Sequence, residues 1–360
     1  MRHLFLTALT AALCLTSAAA QAAGDRIVTG SDRGTYIEIG RDLSRFIAQP
    51  AGLPLEVLPS KGSAENVRRL RSEPGVRLAL VQSDVYRAYL DQAKAGDAQA
   101  ERLIKPLRVV MPLYDEEIYF VARADSPLRS IHELRDKRIN VGPVGSGTAL
   151  TATTLYRAMF GSPMLEQNTS FLSNEEALVK LATDKSIDVV VIVAGQPAKL
   201  FADMKSEARQ YIKLLTLDRA APESQALDGT YVPATIRSTS YPNWLAQDVT
   251  SLSVKSMLVT YDYQSPGLRE SLTRFAKSMC SNFDKLKSDG HAKWQEVSLA
   301  PPQLPKGWSY YAPTQKVLSH CDGEAAADGQ AVAVAPKPAA VVPSCTQSRE
   351  VLGLCRVASK

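Results

Sequence analysis

The sequence predicts an α/β protein made of two αβ domains. Short apolar runs alternate with amphipathic stretches of helical period, and a polar or glycine-containing turn separates each run from the helix that follows. Strand, turn and helix repeated in this order indicate parallel strands with helices on both faces of a sheet. A chain of 360 residues is long enough for two such domains or for one large one.

The first half of the chain predicts three strands, each followed by a polar turn and a helix. The strands are expected at 26–30, 55–58 and 76–82, and the helices at 36–48, at 64–71 and from Ser83 onward. Ligands bind such sheets beyond the carboxyl ends of the strands, where these turns fall. The three candidate binding turns are Gly34-Thr35-Tyr36, Gly62-Ser63 and Gln82-Ser83-Asp84.

The second half repeats the pattern around a glycine-rich turn at 141–148. Glycines let backbone N–H groups approach a ligand, Ser146 and Thr148 add hydroxyl groups, and the positive end of the next helix dipole points at the same place. The other expected strands lie at 107–113, 118–122, 187–193, 211–217 and 251–261, and the other expected helices at 130–134, 149–160, 175–182 and 266–282.

The first 22 residues predict a cleaved signal peptide and therefore a periplasmic protein. Arg2 and His3 form a short basic start, residues 4–20 are apolar, and Ala20-Gln21-Ala22 fits the small-x-small cleavage pattern. A membrane anchor is the alternative, but the apolar segment is marginal in length for a bilayer.

Four cysteines follow the signal peptide, and an even number in an oxidising compartment favours disulfides. Of the three connectivities, the economical one pairs Cys280 with Cys321 and Cys345 with Cys355. Their spacing does not match a zinc site, so no metal site is expected.

The predicted organisation has five parts. They are the signal peptide at 1–22, the first part of domain I at 24–124, domain II at 125–250, a return to domain I with C-terminal helices at 251–322, and a flexible tail at 323–360 that ends in a small cysteine loop. For the tail, a disordered appendage is favoured over a functional one.

Charge and motifs favour binding over catalysis and exclude a nucleic-acid partner. The net charge of +5 comes from 42 basic and 37 acidic residues mixed along the chain. Gly142-x-x-Gly145-x-Gly147 is not the dinucleotide pattern, and no catalytic triad is supported by its context, so neither a cofactor nor a catalytic residue is expected. The acidic residues 115–117 are interpreted as a solvated loop in preference to a catalytic pair.

The turns also carry a family resemblance. Six motifs follow one another over about residues 26–285, and in this order and spacing the chain resembles the TAXI family, the extracytoplasmic solute receptors of TRAP-type transporters. The motifs are Thr29-Gly30-x-x-x-Gly34-Thr35-Tyr36-x-x-Ile39-Gly40, Gly62-Ser63-x-Glu65-Asn66-x-x-x-Leu70, Val81-Gln82-Ser83-Asp84-Val85, Val121-Ala122-Arg123-Ala124-Asp125-Ser126, Asn140-Val141-Gly142-x-x-Gly145-Ser146-Gly147-Thr148 and Ala194-Gly195-x-Pro197.

The resemblance implies a type II periplasmic-binding-protein fold, in which two αβ domains joined by crossing strands close on a small ligand. Glutamate, glutamine and related small carboxylates are the ligands it implies, and membrane permease subunits of a TRAP transporter are the partner; the protein is expected to be monomeric. The residues it implies for the cleft are Gly34, Thr35, Tyr36, Gly62, Ser63, Gln82, Ser83, Tyr114, Ser146, Gly147, Thr148 and Gly195.

Some interpretations stay open at the level of sequence. Arg33 stands where the family has small residues, and it is either a surface residue or a cleft residue that pairs with a second ligand carboxylate. Two other functions compete with transport: a binding subunit that presents its ligand to a sensor kinase, and a periplasmic enzyme on the same fold, such as a dehydratase of cyclic acids.

Overall fold

One mixed sheet of ten strands forms the centre of the computed structural model, which describes residues 24–227, 231–304, 307–321 and 345–355. The strands are β1 (Asp25–Val28), β2 (Leu55–Leu58), β3 (Val76–Gln82), β4 (Leu107–Arg123), β5 (Ile139–Asn140), β6 (Thr169–Ser170), β7 (Val189–Ala194), β8 (Ile212–Leu214), β9 (Val232–Ile236) and β10 (Val249–Tyr261). Their order is β2-β1-β3-β10-β4-β7-β5-β6, with β8 beside β4 and β9 beside β10.

Helices cover both faces of this sheet. They are α1 (Thr35–Asp42), α2 (Ser63–Ser72), α3 (Ser83–Lys94), α4 (Ala98–Ile104), α5 (Gly147–Phe160), α6 (Asn174–Thr183), α7 (Lys199–Ala202), α8 (Pro222–Gln225), α9 (Pro266–Asp289), α10 (Ala312–Leu318) and α11 (Gln347–Val351). Strands β1, β2 and β3 are parallel to one another, as are β5, β6 and β7. The predicted α/β class with a central sheet is confirmed.

The two longest strands, β4 and β10, pair antiparallel and run through both halves of the sheet. Along β4, side chains up to Tyr114 pack in the cores around β1–β3, and those from Ile118 onward pack in the cores around β5–β7. Along β10 the same change falls between Val254 and Met257. We call the half with β1–β3, α1–α4, α9 and α10 the first lobe, and the half with β5–β7, α5–α8 and α11 the second lobe.

The acidic stretch 115–117 lies inside β4, so the expected solvated loop between two strands is wrong. All three residues pair with β10 across the sheet. Glu116 and Glu117 are each only 3% exposed. Backbone pairing at the point where both lobes meet therefore places two carboxyl groups in the interior.

Both predicted disulfides are present. Cys280 in α9 is joined to Cys321 at an S–S distance of 2.02 Å, and Cys345 is joined to Cys355 at 1.98 Å. The second bond closes a loop around α11, and Val351 of that helix is buried in the second-lobe core.

Residues 345–355 of the tail pack against the second lobe. The sequence favoured a disordered appendage here. Lys205 bonds the loop through its backbone N–H, which donates to Val351 O at 3.0 Å, and through an ion pair with Glu350. The predicted signal peptide and the predicted linker at 323–343 lie outside the described residues. Within the described part of the chain, no helix is both long and apolar enough to cross a membrane.

Candidate functional site

A cavity of about 260 Å³ lies between the two lobes. The beginnings of five helices line it, namely those of α1 and α2 from the first lobe and those of α5, α6 and α7 from the second. The predicted site residues that line this cavity are Gly34, Thr35, Tyr36, Gly62, Ser63, Gln82, Ser146, Gly147 and Thr148, together with Arg33. Turns that are distant in sequence are thus brought around one space, at the carboxyl ends of the strands.

Three predicted site residues are not part of the cavity lining. Ser83 Oγ accepts a hydrogen bond from Lys255 N at 3.1 Å and so ties α3 to β10. Tyr114 is fully buried in the first-lobe core. Gly195 offers its carbonyl oxygen to the hydroxyl of Thr35 at 2.6 Å. In this structure these three residues serve packing and contact between the lobes at the edge of the cavity, and their contact with a ligand stays a prediction.

The first-lobe wall contains two helix beginnings without side-chain caps. Helices α1 and α2 begin after Gly34 and Gly62, and neither N-cap residue supplies a side-chain hydrogen bond. The backbone of Gly62 has φ 118°, a conformation that residues with a side chain rarely adopt. Because the first N–H groups of a helix lack partners within the helix and carry the positive end of its dipole, this wall is suited to an anion.

The hydroxyl groups of the second-lobe wall accept hydrogen bonds from backbone N–H groups of the same lobe. Ser146 Oγ accepts a hydrogen bond from Ala149 N at 3.0 Å and caps α5, and Ser173 Oγ accepts one from Glu176 N at 3.3 Å and caps α6. Thr148 Oγ1 accepts from Val193 N at 3.4 Å. The hydroxyl groups that the sequence suggested for a ligand therefore already satisfy helix ends and the neighbouring strand.

Direct hydrogen bonds join the lobes on both sides of the cavity. Glu65 N donates to Gly145 O at 2.9 Å, and the hydroxyl of Thr151 donates to Asp84 Oδ2 at 2.6 Å. Gly147 lies so close to the first lobe that a Cβ atom there would be 1.7 Å from Gln82 Oε1. With the Thr35 bond described above, these contacts define a closed arrangement of the lobes.

Arg33 lines the cavity and pairs across the lobes. Its guanidinium group lies 3.1 Å from the carboxylate of Asp203, and the two side chains are 25% and 32% exposed. Of the two interpretations left open by the sequence, the cleft location is the one observed. The carboxylate that Arg33 meets in this structure belongs to the protein.

Glu116 is a cavity-lining residue that the sequence analysis did not select. Burial raises the pKa of its carboxyl group to about 8, and the charges of Asp84 and Glu117 act in the same direction, whereas Tyr36 and Lys293 oppose them. The available signal was an acidic pair inside an otherwise apolar strand. It was missed because charged residues between two apolar runs usually mark a loop.

Glu117, the next residue along β4, is the centre of a buried network. Its carboxylate accepts hydrogen bonds from Lys293 Nζ at 2.7 Å, Gln196 Nε2 at 2.8 Å and Gln196 N at 2.9 Å. Lys293 follows α9, whereas Gln196 follows β7, so Glu117 links the two lobes at their junction. Burial raises the pKa of Glu117 despite the opposing charge of Lys293.

Asp84 forms a second buried junction on the other side. Its carboxylate accepts from the hydroxyl groups of Thr151 at 2.6 Å and Tyr231 at 3.4 Å, both from the second lobe. Burial raises the pKa of Asp84 to about 6, and the hydrogen bond from Thr151 opposes the shift. The sequence placed Asp84 in a candidate turn without assigning it a role.

Comparison with known proteins identifies the family. Residues 27–303 match the NMT1-like family, and the chain belongs to it. Solved structures similar to this chain include the periplasmic binding protein BugD, at 13% identity over 83% of this chain and 93% of that one with a TM-score of 0.47. A Candida albicans gene product, CA3427, described as having the generic periplasmic binding protein fold, is 12% identical over 85% and 92% with a TM-score of 0.46. The substrate-binding protein of an amino acid ABC transporter is 14% identical over 75% and 100% with a TM-score of 0.42.

Proposed function

We propose that this protein is a periplasmic solute-binding protein that captures a small carboxylate or amino acid between its lobes and delivers it to a TRAP-type permease. The observation that carries the proposal is the cavity itself, because helix beginnings from both lobes converge on it. Membership of the NMT1-like family and fold neighbours that are substrate-binding proteins support the binding role.

The size and polarity of the cavity fit a small charged metabolite. Its volume of about 260 Å³ is below the 300 to 1,000 Å³ of typical drug-sized sites. Each charge-assisted hydrogen bond from an uncapped amide group is worth about 1.5–3 kcal/mol net. Three to five of them, after the costs of ordering, support micromolar affinity, which corresponds to about −8 kcal/mol.

Ligand capture is proposed to be a shift of population from open to closed lobes. The hinge lies where β4 and β10 cross from one lobe to the other, since these strands connect the two sets of cores. A ligand that bridges both walls stabilises the closed state by its differential affinity for that state.

Two further features support export and delivery. Both cysteine pairs are oxidised, which is usual in secreted proteins and rare in reducing compartments. The permease partner rests on the family resemblance of the cleft motifs.

Native mass spectrometry of the exported, untagged protein tests the proposal. We expect a small acid or amino acid to co-purify, to be recovered unchanged, and to rebind at micromolar concentration. Small-angle scattering should show a decrease in the radius of gyration when ligand is added back. Chemical conversion of the recovered molecule would instead favour an enzyme, and an affinity purification that recovers a sensor kinase and no permease would contradict the delivery step.

A further inference from the structure

Asp84 carries a contact between the lobes that involves no ligand. The residue lies in the first turn of α3 in the first lobe, and its Oδ2 atom accepts hydrogen bonds from the hydroxyl groups of Thr151 at 2.6 Å and Tyr231 at 3.4 Å. Thr151 belongs to α5 and Tyr231 precedes β9, so both donors come from across the lobe boundary. Each of the three residues is at most 5% exposed. A carboxyl group is thus enclosed where the lobes meet.

The described residues around Asp84 supply hydrogen bonds and no counter-ion. The groups that act on its carboxyl group are hydroxyl and backbone N–H groups. Glu116 of β4 also faces it, but with a pKa of about 8 that group is mostly protonated below pH 7 and adds little charge. The cations of α3, β10 and α5 lie elsewhere, namely Arg87 and Lys94 on Asp91, Lys255 on Asp115, and Arg157 in the last turn of α5. Dehydration of a charged Asp84 on closure is therefore offset by hydrogen bonds alone.

The protonation of Asp84 is consequently linked to the position of the lobes. Burial raises the pKa of its carboxyl group from 3.8 to about 6, and the hydrogen bond from Thr151 opposes the shift. When the lobes separate, water reaches the carboxyl group and its pKa returns towards the ordinary value. Because the closed form has the higher pKa, the contribution of the proton to closure is complete below pH 3.8 and is lost as pH rises through 6.

Resting on the proposed solute-binding function, we propose that Asp84 is a proton-dependent latch between the lobes, and that closure takes up a proton from solvent at this carboxyl group. The proton binds to Oδ2, which then donates to the Thr151 hydroxyl oxygen in place of accepting from it, so the contact is kept in both states. Capture is therefore tighter in mildly acidic solution, and release is easier at neutral pH. The latch acts through lobe closure and needs no contact between Asp84 and the ligand.

The test measures lobe closure directly on the full exported chain. Nitroxide labels are attached at Lys105→Cys in the first lobe and Lys180→Cys on α6, both exposed positions, and double electron–electron resonance gives the closed fraction without ligand and with L-glutamate as the probe. The four cysteines of the described residues are in disulfides and do not take the label. We expect the ratio of closed to open molecules to rise about tenfold from pH 7 to pH 5.

A second measurement covers conditions in which the open form is rare. The backbone N–H of Glu65 donates to Gly145 O across the lobes, so its hydrogen exchange reports opening. Protection of this amide group in the unaltered protein, relative to Asp84→Asn at each pH, should rise by the same factor of about tenfold from pH 7 to pH 5.

Variants of the carboxyl group assign the proton to Asp84. Asp84→Asn keeps the shape and a hydrogen-bond acceptor but cannot titrate, so its closed-to-open ratio should change less than about twofold between pH 7 and pH 5. The matched control is Asp203→Asn, which removes another carboxylate between the lobes, one that is paired with Arg33 at 3.1 Å. This control should keep the pH dependence of the unaltered protein.

A second pair of variants tests the donor from the other lobe. Thr151→Val removes the shortest hydrogen bond to the charged carboxylate. We expect the closed-to-open ratio to fall at least tenfold at pH 7 and less at pH 5, so that the pH dependence becomes steeper. Thr153→Val is the control, because the hydroxyl of Thr153 bonds Ala149 O and Leu150 O within the same helix. An equal loss at both pH values in Thr151→Val would indicate packing and contradict the latch.

The outcomes separate the latch from the function on which it rests. A closed-to-open ratio that does not change from pH 7 to pH 5, or a pH dependence that persists in a folded Asp84→Asn protein, would overturn the latch and leave solute binding intact. If Asp84→Asn does not fold, the contrast between Thr151→Val and Thr153→Val decides the question. If no small molecule co-purifies or binds, the proposed function fails, whereas closure of the ligand-free lobes still tests the latch.

Discussion

The two walls of the cavity use the same structural element in opposite ways. On the first lobe, α1 and α2 begin after glycines, and their first amide groups are left without side-chain caps. On the second lobe, α5 and α6 begin after Ser146 and Ser173, whose hydroxyl groups cap the helices. The first-lobe helices therefore have no amide group bonded to a cap side chain, whereas each second-lobe helix has one, and we expect the ligand carboxylate on the first lobe.

The largest expected effect comes from the point where the walls meet. Gly147→Ala places a Cβ atom 1.7 Å from Gln82 Oε1 and 2.8 Å from Ser63 Oγ, so these two buried side chains must move before the lobes can close as they do here. We expect ligand affinity to fall at least 100-fold, or about 3 kcal/mol. Calorimetry measures the loss, and shortening the opposing side chain in Gly147→Ala/Gln82→Ala should recover part of it. Unchanged affinity in Gly147→Ala would show that ligand binding does not need this closure.

The buried carboxyl group of Glu116 should make the ligand-free protein less stable as pH rises. Because the pKa of Glu116 is raised from 4.5 to about 8 in the folded state, its contribution is complete below pH 4.5 and is lost as pH rises through 8. Between pH 6.5 and 8 the loss is about 2 kcal/mol. Asp84, with a pKa of about 6, contributes in the same sense at lower pH. Urea denaturation of the unaltered protein and Glu116→Gln measures this slope, which should be smaller in the variant.

The first-lobe wall is tested by a pair of matched glycine substitutions. Gly62 at φ 118° and Gly161 at φ 71° both have positive φ, but only Gly62 borders the cavity, with Gly147 N 3.3 Å from an added Cβ. Alanine should cost about 1–2 kcal/mol of stability at Gly161, which is left-handed helical, and about 1–3 kcal/mol at Gly62, whose φ of 118° and ψ of −160° are nearly restricted to glycine. We expect Gly62→Ala alone to weaken binding, by about 10- to 30-fold in calorimetry. Equal losses of affinity in both variants would mean that global destabilisation and not the wall is responsible.

Substitutions in the second-lobe wall should lower the stability of the protein and leave its ligand affinity unchanged. Ser146→Ala removes the cap of α5 and is expected to cost about 1 kcal/mol in the free energy of unfolding. Ligand affinity should change less than threefold, and Ser173→Ala should behave in the same way. A tenfold loss of affinity in Ser146→Ala would restore this hydroxyl group to the ligand-binding set and would break the contrast between the walls.

The smallest effect is expected at the edge of the cavity. Arg33→Ala and Asp203→Ala each remove a half-exposed ion pair between the lobes, and such pairs contribute less than about 1 kcal/mol. Affinity should therefore fall only a few-fold in either variant, and the difference should disappear at high salt. A large loss in Arg33→Ala together with no effect in Asp203→Ala would show that Arg33 binds the ligand directly.

The agreement and the disagreement between sequence and structure have separate physical origins. Local patterns are reliable where one element decides the outcome: the turns at Gly34 and Gly62 precede helices as expected, and the α5 turn lies beside them at the cavity. Tyr114 was selected from its position beside the crossover and Gly195 from the family resemblance, but neither residue is part of the cavity lining, because packing around β4 and β7 holds them at its edge. Glu116 was left out of the predicted site although it lines the cavity. The three acidic residues at 115–117 suggested a loop, whereas they belong to β4.

The sequence by itself determined the α/β class and the beginnings of the cavity helices, because apolar period and glycine turns are local properties. It left three cysteine pairings open, of which the structure contains the economical one. Only the tertiary structure decided which helix amide groups lack a side-chain partner, which hydroxyl groups cap helices, and that Glu116 lines the cavity. These depend on how β4 and β10 cross between the lobes, and burial created by residues far apart in the chain sets both the hydrogen-bond partners and the pKa of a carboxyl group.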